Sequence, residues 1–365
     1  MLGTFFKLFD RFSTLSQPTQ SAEQQLTSAD SGETGQLGVR HLKRFWEQTL
    51  AKRNGVFVES NERNWRFDNL LLNGLGLPIE QTMQHLMRTA PSFDEFERWI
   101  LAQNGGAVST MQVGRLNSLL TNQPYPPDVQ QQLRELETYP NVLSEEDLQF
   151  WNEYGYVIVR QAVSKEDALA TENAVWEFLG MSPKDPASWY SKTIGKGIMM
   201  DFYHHPTLRK NRQSLRIKKA FAQLWNTPDL WATTDRTSFN PPEKAALPFP
   251  GPHLHWDMSL QPPLCFGTQG LLYLCDTPAE QGAFCCVPGF NRQLEHWLAS
   301  LPPGADPRQI NLKAAAVPIA AEAGDFVIWH QFLPHGSSPN RGGYPRIVQY
   351  LNMYPAEFKE TMDWL

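Results

Sequence analysis

The sequence predicts a mixed α+β protein, with a helical N-terminal part followed by a larger part built on a sandwich or barrel of short strands. Three observations carry that prediction. Apolar residues recur at three- and four-residue spacing from Leu37 to about Glu137. Beyond Leu230, short β-branched and aromatic runs alternate with Pro and Gly turns. The 12 Trp and 28 Pro of the 365 residues suit a loop-rich β architecture with an aromatic interior better than a helix bundle. At 41.6 kDa the chain is long for one domain and comfortable for two. A hydrophobic fraction of 41% supports a sizeable core. The mean hydropathy of -0.43, with no long apolar run, predicts no transmembrane segment. A formal net charge of -6 argues against a nucleic-acid partner.

Residues 1–36 read as an amphipathic segment and a flexible tether. Leu2, Phe5, Phe6, Phe9 and Phe12 share one helical face, expected to dock on the protein itself or on a partner subunit. Ser13 to Gln36 is rich in Ser, Thr, Gln, Ala and Gly and nearly free of large apolar residues. Met1 to Leu15 has no continuous apolar run of the kind a secretory leader carries. Residues 37–137 form a helical region of unassigned role, with HLKRFWEQTLAKR, LPIEQTMQHLMRTA and SFDEFERWILAQN as its clearest helices. Ser92 with Glu95 predicts a capping box, and Gly74, Gly76 and Pro78 break the chain between helices. His41 and His85 stand alone there and read as structural. These helices offer a surface for a homo-oligomer or another partner.

A boundary falls near Thr138, and residues 138–358 form the second domain, followed by a tail at 359–365. Ser144 with Asp147 predicts a second capped helix, Gly155 ends it, and Tyr156–Val159 begins the strands. Further strands are expected at Gly270–Cys275, Ala283–Val287, Asp325–Trp329 and Arg346–Met353. Cys265, Cys275, Cys285 and Cys286 form no C-x-x-C pair and read as reduced thiols of a cytoplasmic protein.

GPHLHWDMSL is the most informative segment. On a strand, His253, His255 and Asp257 would share a face, setting an imidazole beside a carboxylate. A third ligand is supplied by His335 in PHGSSPN, after the expected strand DFVIWH. Two His and one carboxylate leave three coordination positions open, the arrangement of non-haem Fe(II) oxygenases. Arg346 opens the strand RIVQYLNM. A guanidinium inside a barrel needs an anion, and its planar fork suits the distal carboxylate of 2-oxoglutarate. Ser337 lies two residues past the third ligand and could bond the same carboxylate.

From about Leu143 to Pro355 the chain resembles the phytanoyl-CoA dioxygenase-like family of Fe(II)/2-oxoglutarate oxygenases. The resemblance rests on LSEEDLQFWNEYGYVIVRQAVS, HLHWD, LLYLCDTPAEQGAFCCVPGFNR and AGDFVIWHQFLPHGSSPNRGGYPRIVQYLNMY. It implies a double-stranded β-helix (a jelly-roll, cupin-like core) with flanking helices. It implies His255, Asp257 and His335 as metal ligands, Arg346 and Ser337 as 2-oxoglutarate contacts, and Fe(II), 2-oxoglutarate and O₂ as cofactors. Where the family carries P-G-S-H, this chain reads Pro288-Gly289-Phe290-Asn291, and the helical N-terminal part lies outside the pattern. Related halogenases replace the ligand carboxylate with a small residue, so Asp257 disfavours halogenation.

The function expected is a dioxygenase that hydroxylates a small or carrier-borne organic substrate with release of succinate and CO₂. A silent scaffold on the same fold, or a cupin-type metalloenzyme without 2-oxoglutarate, is the alternative that Asp257 and Arg346 count against. His253 reads as lying behind the ligands or facing substrate, and Arg236 and Asn240 in DRTSFNPPE are further substrate candidates. His330 reads as packed and Arg341 as a solvated turn residue. The basic stretch LRKNRQSLRIKKAF reads as a solvated helix face, with a dock for an acidic substrate group as the alternative.

Overall fold

The computed structural model describes residues 34–58, 62–190, 197–251 and 253–358. The expected amphipathic helix at the N-terminus, most of the tether and the C-terminal tail lie outside them. The chain divides into two compact units, one comprising the chain up to Glu135 with Trp231–Thr234, the other the remainder.

The first unit is helical: α1 (Leu42–Arg53), α2 (Glu62–Gly74), α3 (Ile79–Thr89), α4 (Phe93–Gln103), α5 (Thr110–Leu120) and the greater part of α6 (Pro127–Thr138). Leu42, Phe45, Leu70, Leu71, Phe96, Ile100 and Leu116 form its interior. α4 begins with the expected capping box: Ser92 Oγ accepts from the Glu95 N–H, and the Glu95 carboxylate accepts from the Ser92 N–H at 2.8 Å. Such a cap stabilises a helix by about 1 kcal/mol. Glu97, 1% exposed, accepts the backbone N–H groups of Gln36 and Leu37 at 3.0 and 2.9 Å, so its buried charge orders the chain ahead of α1. His85 stacks on Trp99 with ring centroids 4.5 Å apart, a packing role.

The second unit runs α7 (Glu145–Tyr154), β1 (Tyr156–Val159), α8 (Lys165–Leu179), β2 (Met199–Met200), α9 (Pro206–Arg212), α10 (Leu215–Trp225), the first residue of β3 (Leu230–Ala232), and β4 (Thr237–Asn240). It continues through β5 (Thr268–Tyr273), β6 (Phe284–Cys286), α11 (Leu294–Ser300), β7 (Val317–Pro318), β8 (Phe326–His330), β9 (His335–Ser337), β10 (Arg346–Tyr350) and β11 (Met353–Pro355). α7 carries the Ser144–Asp147 capping box and ends at Gly155 with φ 77°. Glycine is needed there twice over: the left-handed backbone disfavours a side chain, and a Cβ would fall 2.7 Å from Asn291 Oδ1.

Two antiparallel sheets build the core of this unit, one of six strands in the order β1-β8-β5-β10-β4-β2, the other β7-β6-β9. Strand alternation sends Leu271, Tyr273, Val327, Trp329 and Val348 of the large sheet and Phe284 and Cys286 of the small one into a common apolar core. Each such residue contributes about 1.5–3 kcal/mol by leaving water. Tyr273 ties the sheets together, its hydroxyl donating to Ile319 O and accepting from the Phe284 N–H, both at 2.9 Å. The strand expected over 346–353 is interrupted: β10 stops at Tyr350 and β11 begins at Met353. No helix of the described residues is long and apolar enough to cross a membrane.

Candidate metal centre

His255, Asp257 and His335 come together, with one donor atom from each lying within 4.8 Å of the others. His335 opens β9 opposite Cys286 of β6, where the ladder fixes its backbone. His255 and Asp257 are held differently from the sequence expectation. Residues 253–260 do not form a strand. A single bridge pairs His255 with His335, with reciprocal N–H···O bonds of 2.9 and 3.0 Å, and the ladder goes no further. Alternation along a strand therefore does not explain the pairing of His255 with Asp257; an irregular turn held from outside does.

Both imidazoles are oriented by backbone carbonyls. His255 Nδ1 lies 2.7 Å from His253 O, and His335 Nδ1 lies 3.0 Å from Leu333 O. A carbonyl only accepts, so Nδ1 carries the proton in each ring and Nε2 faces inward with its lone pair. His255 Nε2 lies 3.5 Å from Asp257 Oδ1, and His335 Nε2 lies 3.4 Å from Asp257 Oδ2. Burial presses the His335 imidazole below its usual pKa, which keeps it neutral. Burial acts the same way on His255, but the Asp257 carboxylate outweighs it and raises that pKa. The Asp257 carboxylate also accepts from Gln269 Nε2 at 2.9 Å, and Gln269 Oε1 accepts from Trp329 Nε1 at 2.9 Å. Phe284 and Trp329, 4.4 Å apart, wall the site beside His335.

Arg346, fully buried, heads β10 opposite Asn240 of β4. It donates to Ser337 Oγ at 2.8 Å and to Ser238 Oγ at 3.1 Å, while its buried Nε has no partner. Among the described residues no carboxylate pairs with it. A buried guanidinium held by two neutral hydroxyls with an orphaned N–H is a site prepared for an anion. Two imidazole nitrogens and one carboxylate likewise suit a divalent transition metal with open positions. The residues present therefore fit both an iron ion and the carboxylate of a 2-oxo acid.

Of the remaining candidates, Asn240 adjoins the cluster as the ladder partner of Arg346 and His253 through its carbonyl, while the others make contacts elsewhere. His253 is exposed, its ring edge-on to Phe249 at 5.6 Å, and its carbonyl is what orients His255. Arg236 pairs with Asp201 at 2.9 Å. Asn240, 1% exposed, donates to Ser338 O at 3.3 Å and accepts from Asn340 Nδ2 at 2.8 Å. His330 Nδ1 accepts the Phe332 N–H at 3.1 Å with its ring among Phe266 and Phe332, and burial pushes its pKa down to about 4. Arg341 faces solvent beside Glu243. In the basic stretch Lys210, Arg216 and Lys218 make surface bonds to Asp167, Arg160 O and Gln213, as a solvated face would, whereas Arg212 and Lys219 are buried and donate to Tyr203 O and Glu137 O. Sequence reasoning missed Gln269 and Ser238. A Gln interrupting the apolar run of β5 was a readable signal, whereas a Ser in β4 gave none.

The model of the family described as phytanoyl-CoA dioxygenase (PhyH) matches residues 151–348, more than half of the chain, a stretch that contains all five clustered residues. A Dictyostelium discoideum protein bearing the phytanoyl-CoA dioxygenase name is 23% identical over 57% of this chain and 74% of its own. The Ava biosynthesis cluster protein O of Aspergillus versicolor is 22% identical over 56% of this chain and 75% of its own. Among solved structures, AviO1 from Streptomyces viridochromogenes Tue57 is similar at a TM-score of 0.44 and 17% identity, covering 60% of this chain and 98% of that one. The chain belongs to the phytanoyl-CoA dioxygenase family, whose cofactors, Fe(II), 2-oxoglutarate and O₂, are its own.

Proposed function

We propose that the protein is a dioxygenase that hydroxylates a small or carrier-borne organic substrate, releasing succinate and CO₂, with residues 138–358 as its oxygenase domain on a double-stranded β-helix. The observation that carries this reading is the His255–Asp257–His335 cluster with both Nδ1 atoms already committed to carbonyls. His255 and His335 would hold Fe(II) through Nε2 and Asp257 through one carboxylate oxygen. Gln269 steadies the other oxygen, which favours a one-oxygen bond to the metal and leaves positions open. Arg346, with Ser337 and Ser238 behind it, would take the distal carboxylate of 2-oxoglutarate. The bound iron and 2-oxoglutarate supply activation of O₂ for attack on a substrate C–H bond. The Phe284 and Trp329 wall covers the His335 side of the site, while His255 stays partly open to solvent. Arg236 and His253 are the substrate contacts we favour at the mouth. The free thiols of Cys275, Cys285 and Cys286, all buried, support a reducing, cytoplasmic setting.

The test is an anaerobic titration of metal-free protein with Fe(II) and then 2-oxoglutarate, followed by visible absorption. A charge-transfer band on adding 2-oxoglutarate, and succinate release on admitting O₂, are expected. Bound iron without a band would favour a metalloenzyme that does not use 2-oxoglutarate. No iron binding would favour a silent scaffold.

A further inference from the structure

We propose that Arg308 is a positioning residue for the metal centre, its guanidinium fork standing in for the β-ladder that Asp257 lacks. The inference rests on the ligand assignment above. Beyond the bridge at His255, the segment that carries Asp257 has no strand partner. Buried carbonyls must nevertheless be paired. Those on either side of Asp257 are paired by one side chain: Arg308 Nη1 donates to Trp256 O at 2.9 Å, and Nη2 donates to Met258 O at 2.6 Å. Two bonds from a rigid planar group to residues i-1 and i+1 fix both the position and the tilt of the peptide units from which the Asp257 side chain springs.

Arg308 is itself anchored. It sits in the short turn Pro307–Gln309, where the Asp306 carboxylate accepts the Arg308 N–H at 2.8 Å. From the opposite side, Trp256 Nε1 donates to Phe332 O at 2.9 Å, so the segment is gripped at both edges. Gln269 fixes the carboxylate, and Arg308 fixes the backbone beneath it. Because Arg308 touches carbonyls about fifty positions away in the chain, no local pattern announces it.

The experiment compares Fe(II) affinity, by anaerobic titration of the metal-free protein, among the parent, Arg308→Ala and Arg308→Lys. Thermal melting of the metal-free forms is recorded alongside. Lysine keeps the charge but is a point donor and not a fork. Both variants are expected to bind Fe(II) roughly 10- to 100-fold more weakly than the parent, the usual cost of losing the support behind a ligand. Their 2-oxoglutarate affinity at saturating Fe(II) should stay at the parent value, because Arg346 is untouched. If Arg308→Ala fails to fold, Arg308→Lys carries the test. Parent-like Fe(II) affinity in Arg308→Lys would overturn the fork, since charge alone would then suffice. Parent-like affinity in a folded Arg308→Ala would overturn any positioning role. A parent that binds no Fe(II) overturns the ligand assignment, and the positioning role with it.

Discussion

Replacing Arg346 with methionine should pull binding and stability in opposite directions. The guanidinium is fully buried and has only two hydroxyl partners, so without its anion the folded protein holds an uncompensated buried cation. Desolvating such a charge costs several kcal/mol. Arg346→Met removes that cost and leaves the Ser238 and Ser337 hydroxyls to find new partners, a loss of about 1 kcal/mol each. The metal-free, cosubstrate-free variant should therefore melt at or above the parent temperature. Binding moves the other way. Truncating one member of a buried, hydrogen-bonded charge pair costs about 3 kcal/mol, roughly a hundredfold in Kd. Calorimetry reads both effects together. At 2-oxoglutarate a hundredfold above its Kd, with metal present, the parent gains about 2.7 kcal/mol and the variant almost nothing. A variant several kcal/mol less stable than the parent, or one that keeps parent affinity for 2-oxoglutarate, would refute the idea of a cation waiting for its anion.

His335→Ala removes the proposed ligand on the ladder and should abolish Fe(II) binding and succinate release; full succinate release would sink its assignment. The His330 pKa is depressed to about 4 against an unfolded value of about 6.5, so the folded state resists protonation. Stability is full above that upper value and drains as pH falls toward 4, by about 3 kcal/mol at most. His204, also pressed to about 4 by burial and nearby arginines, drains in the same window. His330→Asn should therefore give a shallower fall in the urea midpoint between pH 7 and 5; a slope parallel to the parent's would count against it. In β5, a Cβ on Gly270 would approach Phe326 Cε1 to 2.5 Å and Leu351 O to 2.9 Å. Gly270→Ala should cost about 1–3 kcal/mol by thermal melting, and an unchanged melting temperature would show that the Phe326 ring yields freely.

The parts of the site that were legible in the sequence are those whose chemistry depends on residue type at a fixed spacing. His255 and Asp257 are two apart, His335 follows a strand, and Arg346 opens one, so their identities and neighbours could be read directly. Capping boxes at Ser92 and Ser144 were equally readable, because an N-cap and its third residue are local. What failed was the inference from spacing to strand. His255 and Asp257 share a side because a bridge to His335, a fork from Arg308 and an amide from Gln269 hold an irregular turn. Those bonds join residues 12 to 80 positions apart, and long-range partners of backbone carbonyls leave no periodic trace. The basic stretch was legible only in part: Lys210 and Arg216 lie on an exposed face as expected, while Arg212 and Lys219 turn inward onto carbonyls that helix ends and loops leave open.

The two halves of the site are thus supported by different physics, and that difference decides how they respond to change. His335, Ser337 and Arg346 stand on strands, where each backbone position is fixed by ladder bonds to β6, β4 or β5. Altering one side chain there changes what is bound and leaves the frame in place. Asp257 stands on a turn whose geometry is set by single side chains, Arg308 and Gln269 above all. Losing either one should move the proposed ligand itself. Substitutions in the turn at 307–309 should therefore act on the metal, while substitutions facing Arg346 should act on 2-oxoglutarate. The two affinities, measured separately across Arg308→Lys and Arg346→Met, should fail one at a time. Failure of both together in either variant would mean that turn and ladder form one cooperative unit, against the separation drawn from their hydrogen bonds.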